Sequence, residues 1–77
     1  MNTTKQHMSA KISIENQGRD GHAVIRKGTT LARCAKGTDA KALAAAFRAA
    51  AKVHGEGTVA EAATVRTALP TLAECVS

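Results

Sequence analysis

Aromatic side chains are almost absent from this chain, which has one phenylalanine and neither tyrosine nor tryptophan among its 77 residues. Proteins that hold single-stranded nucleic acid usually stack its bases on aromatic rings, so this mode of binding is disfavoured. A chain of this length buries a limited share of its surface, and a second copy would bury more. Both a monomer and a homodimer therefore stay open. The expected core is aliphatic apart from one ring: Ile12, Ile14, Val24, Ile25, Leu31, Leu43, Phe47, Val53, Val59, Val65, Leu69 and Leu72.

Long apolar runs are also missing. No stretch approaches the roughly 20 apolar residues of a membrane span, and the first residues are polar and charged, unlike a signal peptide. The sequence therefore predicts no membrane segment and a location in the cytoplasm of a bacterial host. Cys34 and Cys75 lack the spacing of metal ligands. The two could form one disulfide bond, but in a reducing cytoplasm we expect both to be free thiols that pack as small apolar residues.

No catalytic set is recognisable in the sequence. A nucleophile needs a base within reach, and the base needs a group that orients it. Cys34 and His22 could meet across a predicted hairpin, but nothing else in the chain completes a triad. The glycines are not followed by the Lys-Ser/Thr of a phosphate-binding loop. We therefore predict a protein that is not an enzyme and that uses no catalytic residue, metal or cofactor.

The first half of the chain has the pattern of three short strands. Residues 11–15 alternate polar and apolar side chains, which is typical of a strand with one buried face. Residues 16–21 contain Asn, Asp and two Gly, the residue types of a turn. Residues 22–27 and 29–34 are rich in β-branched residues and are separated by Gly28. The pattern predicts an antiparallel β-meander over residues 11–35.

A long helix is predicted over residues 38–54, because the segment is built mostly from alanine with leucine, lysine and arginine. Thr38 or Asp39 is the expected cap of its first turn, and Gly55 is the expected end of the helix. At about 100° per residue the apolar side chains gather on one face. That inward face is expected to carry Ala40, Leu43, Ala46, Phe47, Ala50 and His54.

A second, shorter helix is predicted over residues 58–69. Thr58 and Glu61 have the spacing of a capping box at its start, and Pro70 ends it. A last helical turn is expected over residues 71–76. The predicted fold is α+β, a three-stranded antiparallel meander packed against the long helix and followed by the shorter one. We expect one domain over residues 1–77, with residues 1–9 flexible.

Positive charge is concentrated in the first two thirds of the chain. Residues 1–55 contain ten Lys or Arg against three acidic residues, a net charge of +7, whereas residues 56–77 contain one against three, a net charge of −2. A basic surface attracts an acidic macromolecule, either nucleic acid or a carboxylate-rich protein. The residues expected to bind such a partner are Arg26, Lys27, Arg33, Lys36, Lys41, Arg48 and Lys52.

Residues 29–69 resemble the ribbon-helix-helix DNA-binding proteins. The strand TTLARC leads into a helix that ends AAAKVHG, followed by a GEGT turn and a second helix containing TVAEAATVRTAL. The resemblance implies a dimer that pairs through this strand and places strand side chains in the major groove. A transcriptional repressor or an antitoxin would be the corresponding function. The side chains facing DNA would be either Thr29, Leu31 and Arg33 or Thr30, Ala32 and Cys34.

The chain as a whole resembles small phage-encoded inhibitors of CRISPR effectors, the anti-CRISPR proteins. The features that carry this resemblance are its small size and the predicted meander followed by an alanine-rich helix. The resemblance implies a protein that binds a CRISPR effector, or the nucleic acid of that effector, in stoichiometric amount and blocks it. The sequence predicts a non-enzymatic binding protein of this kind, with a small basic DNA-binding protein as the alternative.

Overall fold

The computed structural model of the chain describes residues 12–77. Three strands, β1 (Ser13–Asn16), β2 (His22–Arg26) and β3 (Thr29–Cys34), form one antiparallel sheet in the order β1-β2-β3. This confirms the predicted meander. The expectation that residues 1–9 are flexible lies outside the described residues.

The two turns of the meander explain its register. Between β1 and β2, a 3-10 turn over Gly18–Asp20 is closed by a hydrogen bond from the Gln17 N–H to the Gly21 carbonyl at 2.7 Å. Gly21 has a φ of +89°, and a Cβ there would collide with the carbonyl oxygen of Cys34. Between β2 and β3, Lys27 and Gly28 both have positive φ, as the twist of a two-residue hairpin turn requires.

Helix α1 spans Gly37–His54 and helix α2 spans Val59–Ala68. The Thr58 hydroxyl accepts from the Glu61 N–H at 3.0 Å at the start of α2, and Gly55 follows α1 with a φ of +93°. The predicted cap of α1 by Thr38 or Asp39 is wrong. The helix starts at Gly37 after Lys36, whose carbonyl accepts the first helical bond and whose side chain makes no cap.

The core lies between one face of the sheet and α1. Alternation along β2 and β3 directs Val24, Ala32 and Cys34 toward α1, because Val24 pairs with Ala32 across the ladder. Five side chains of α1 pack against these three residues, and Val65 of α2 packs into the same cluster. The buried residues of α1 are Ala40, Leu43, Ala44, Phe47 and Ala50.

Three residues expected on the inward side are exposed. The side chains of Val53 and Val59 are 76 % and 86 % exposed, and His54 is also exposed. Helix α1 is about 27 Å long at 1.5 Å per residue, whereas strands of four to six residues span about 13–20 Å. The last turn of α1 therefore extends past the sheet, and the start of α2 lies beyond the sheet as well. Val53, His54 and Val59 consequently have no residue of the described sheet to pack against.

A final 3-10 helix over Pro70–Cys75 returns the chain to the sheet. Val76 forms an isolated antiparallel bridge with Ala32, and the Ser77 N–H donates to the Leu31 carbonyl at 2.9 Å. Strand β3 is therefore paired with β2 along one edge and with residues 76–77 at Leu31 and Ala32 on the other.

Candidate partner-binding surface

Arg26 is inside the protein and not on its basic surface. Its side chain is 6 % exposed, and its guanidinium grips both carboxylate oxygens of Glu61, with Nη1–Oε2 at 2.7 Å and Nη2–Oε1 at 2.8 Å. The placement expected for it from the sequence is wrong for a physical reason. Arg26 is two residues from Val24, so strand alternation gives both side chains the same buried face. This alternation is visible in the sequence and predicts a buried position for Arg26.

Glu61 is held in place from two sides. Besides Arg26, its Oε1 accepts from the Gly57 backbone N–H at 2.8 Å, and its own N–H is bound by Thr58. The hydrogen bond from Arg26 is the main reason why the pKa of Glu61 lies below its usual value. The Gly57 N–H and the charge of Arg26 add to this, while burial opposes it. The pair therefore fastens the β2–β3 hairpin to the connection between α1 and α2.

The lowered pKa of Glu61 predicts a specific pH dependence of stability. In the unfolded chain a glutamate titrates at about 4.3, and in the folded chain Glu61 titrates lower. Below the unfolded value the unfolded state takes up the proton first, so this stabilisation is complete above it and is lost as the pH falls through the folded pKa. Urea midpoints measured from pH 7 down to pH 3 should fall more steeply for the natural protein than for Glu61→Gln, which has no carboxylate to titrate. Parallel curves would show that Glu61 is not the group responsible.

Lys27 lies at the tip of the β2–β3 hairpin and is exposed. Its Nζ is 3.8 Å from Oε1 of Glu56, an oxygen that is also 4.0 Å from Nε of Arg26. The charge of Lys27 is therefore partly balanced by an acid of the same protein. An exposed pair of this kind contributes little to stability, and it weakens the attraction of Lys27 for an outside partner.

Arg33 points to the side of the sheet that faces away from α1. It pairs with Ala23, one residue out of step with Val24 and Ala32, and its Nε donates to the Gln17 side-chain oxygen at 3.2 Å. Gln17 in turn donates to Glu15 at 2.9 Å. This network of exposed polar side chains occupies the outer face of the sheet. Arg33 is thus separated from the basic residues of α1 by the thickness of the sheet.

Lys41, Arg48 and Lys52 form the cationic face of α1. All three are exposed, and their spacing of seven and four residues places them in one row along the helix. Within residues 12–77, the structure pairs none of them with a carboxylate. Small apolar side chains that are also exposed border the row, namely Ala42, Ala45, Ala49 and Val53. Lys36 is exposed as well, immediately before the helix.

The seven predicted residues therefore do not form one surface. Three lie together on α1, Lys36 precedes them, Lys27 lies at the hairpin tip beside Glu56, Arg33 lies on the opposite layer, and Arg26 is buried. Sequence spacing identified the row on α1, because helical periodicity is regular. It could not show that β3 and α1 turn their exposed sides in opposite directions.

Cys34 and His22 are opposite each other in the β2–β3 ladder. Burial, followed by a hydrogen bond with the Cys75 thiol, raises the pKa of Cys34 to about 12, so the thiolate needed for attack is scarce near neutral pH. His22 has a buried Nδ1 for which the described residues supply no hydrogen-bond partner. The two residues are as close as a nucleophile and a base need to be, but the Cys34 thiol is too weak an acid to supply the thiolate.

Among residues 12–77, no group of three or more His, Cys, Asp or Glu side chains is placed to hold a metal ion. None of the described helices has both the length and the apolar character that crossing a membrane requires. No protein-family model, curated protein or solved structure matches this chain.

Proposed function

We propose that this chain is a non-enzymatic binding protein that applies the cationic face of α1 to an acidic surface of a macromolecular complex. The observation that carries the proposal is the row of three exposed cations, Lys41, Arg48 and Lys52, which the described residues leave without acidic partners. The fold does not need this arrangement, because α1 is anchored by its opposite, apolar face. Surfaces shaped only by solubility usually intersperse charges of both signs.

The small apolar residues beside the row support a protein partner. Ala42, Ala45 and Ala49 leave the helix backbone close to its surface, so another protein can approach α1 closely. The cations then steer the partner and set the orientation of the complex. The size and architecture of the chain resemble those of phage-encoded inhibitors of CRISPR effectors. The specific form of the proposal is therefore stoichiometric inhibition of a CRISPR effector complex in the bacterial cytoplasm.

The ribbon-helix-helix alternative has less support. In that family the strand before the first helix pairs with its copy in a second subunit. Here the corresponding strand, β3, is paired with β2 on one edge and with residues 76–77 on the other. A second copy would have to displace the Val76 bridge and the Ser77 hydrogen bond. The middle of the outer edge of β3 is therefore already occupied, which disfavours such a dimer.

Reversing the charge of Lys41 or Arg48 to Glu is expected to weaken binding to the partner by roughly tenfold or more, since each change replaces an attraction with a repulsion. The probes are purified CRISPR effectors loaded with guide RNA and, separately, a random-sequence DNA duplex. Binding is measured at several salt concentrations. If the target is nucleic acid, each lost phosphate contact lowers the salt slope by about one unit.

Arg33→Glu is the matched control. It changes the net charge by the same amount, but from the opposite layer of the molecule. Thermal melts of all three variants establish that each is folded. If an effector binds equally well to Lys41→Glu, Arg48→Glu and the natural protein, the cationic face of α1 is not the contact. Binding to the duplex alone would replace the CRISPR form of the proposal with DNA binding.

A further inference from the structure

The two cysteines of the chain lie on adjoining segments of the fold, although 41 positions separate residues 34 and 75 in the sequence. Cys34 is buried in the core on β3, and Cys75, at the end of the final 3-10 helix, is half-buried and packs against the same core. Val76, the neighbour of Cys75, pairs with Ala32, which is two residues from Cys34 on β3. The bridge between Ala32 and Val76 and the hydrogen bond from Ser77 to Leu31 fix the backbones on either side.

We propose that Cys34 and Cys75 are a redox-modification site, at which an oxidising low-molecular-weight disulfide closes an intramolecular bond that fastens the final segment to β3. Both thiols are free in the reduced protein. Closure requires little movement of the backbone, because the two segments that carry the cysteines are already paired through Ala32 and Val76 and through Leu31 and Ser77. These are the only two cysteines in the sequence, so the connectivity is unambiguous.

The chemistry proceeds in two thiol–disulfide exchanges, with oxidised glutathione as the model oxidant. Cys75 reacts first because it is partly exposed, whereas Cys34 is buried. The Cys75 sulfur attacks glutathione disulfide, forms a mixed disulfide and releases one glutathione thiol. The Cys34 sulfur then attacks the Cys75 sulfur and releases the second glutathione thiol. In sum, two protein thiols are oxidised, one glutathione disulfide is reduced to two thiols, and both protein thiol protons are transferred to the released glutathiones.

The second exchange is expected to be the slower one. Burial is the main reason why Cys34 is a weak acid, and its thiolate is the attacking species. The mixed disulfide on Cys75 should therefore accumulate briefly before the ring closes. Because the closed loop contains α1 and α2, the bond restricts a large part of the unfolded chain. For a loop of this length the equilibrium constant for unfolding should fall by roughly a hundredfold to a thousandfold.

The test incubates the folded protein with oxidised glutathione and follows its mass and thiol content. Closure is expected to remove the mass of two hydrogen atoms and both titratable thiols. After trypsin digestion, the peptide of residues 34–36 should be joined to the peptide of residues 67–77. The urea midpoint should rise, and a reductant should restore the original value. The cationic face of α1 lies elsewhere, so partner binding should be unchanged, which separates this outcome from the proposed function.

Cys75→Ser is the control, since a half-buried serine is tolerated better than one at Cys34. This variant should form no internal bond and show no rise in the urea midpoint. A natural protein that stays in the mixed disulfide with glutathione, or that forms disulfide-linked dimers, would overturn the proposal. So would an oxidised protein whose linked peptides are found but whose unfolding midpoint matches that of the reduced form.

Discussion

Replacing Glu61 with alanine is expected to lower the free energy of unfolding by about 3–5 kcal/mol, because it leaves the guanidinium of Arg26 buried without a counter-charge. Arg26 and Glu61 are 6 % and 2 % exposed, so water cannot take over the lost contacts. The Gly57 N–H loses its acceptor in the same change. Urea unfolding at pH 7, followed by circular dichroism, measures the loss.

Three further variants separate the pair from its surroundings. Arg26→Ala should destabilise the protein by a similar amount, since it leaves the Glu61 carboxylate buried without a counter-charge. The double variant Arg26→Met with Glu61→Leu should recover much of the stability, because apolar residues of similar volume often replace a buried ion pair without loss. Glu56→Ala removes a carboxylate that lies 4.0 Å from Arg26 and is 35 % exposed, so it should destabilise the protein clearly less than Glu61→Ala does. Equal losses for Glu56→Ala and Glu61→Ala would refute the distinction between the two acids.

Local patterns in the sequence were sufficient for the elements of this fold. Period-two alternation before Asn16, the residues of the turn that follows, and Gly28 between two β-branched runs together specify a meander. Thr58 and Glu61 specify the start of α2, and their predicted hydrogen bond is present at 3.0 Å. Each of these signals acts within a few residues, so no knowledge of the tertiary structure is needed to interpret it.

Which side chains are buried in the tertiary structure was harder to predict from the sequence. Val53 continues the apolar character of α1, but whether it is buried depends on how far the sheet extends beneath it. Val59 is the first residue of α2, and its burial depends on the angle at which the chain leaves Gly57. The basic residues near Arg26 in the sequence, Lys27 among them, predict a surface position for it, whereas its side chain is buried. Its true partner, Glu61, is 35 positions away, a distance at which charge patterning gives no information.

The candidate surface was predictable only in the part that lies on one regular element. Lys41, Arg48 and Lys52 belong together because a helix repeats every 3.6 residues. Arg33 is close to Lys36 in sequence, but the exposed side of the chain reverses between β3 and α1. A linear cluster of charge is therefore a poor guide to a surface wherever a strand leads directly into a helix that packs on that strand.

Phe47→Ala is expected to destabilise the protein by about 3–5 kcal/mol, the usual effect of removing a buried aromatic side chain. Phe47 is 2 % exposed in the core between α1 and the sheet. Leu43, Val24 and Val65 are fully buried in the same cluster. Phe47 is the one Phe, Tyr or Trp in the chain, and its removal leaves a cavity that the surrounding core fills only in part.

The size of this effect relative to the total stability decides what the measurement will show. A chain of 77 residues is typically stable by about 4–12 kcal/mol, so Phe47→Ala should leave a protein that is marginal or largely unfolded at 37 °C. Phe47→Leu keeps most of the volume and should lose clearly less. Val53→Ala, about 1.7 turns further along the same helix, should change the urea midpoint very little because Val53 is 76 % exposed. If Val53→Ala destabilises the protein as much as Phe47→Ala does, α1 is rotated on the sheet, and the row of Lys41, Arg48 and Lys52 no longer faces outward.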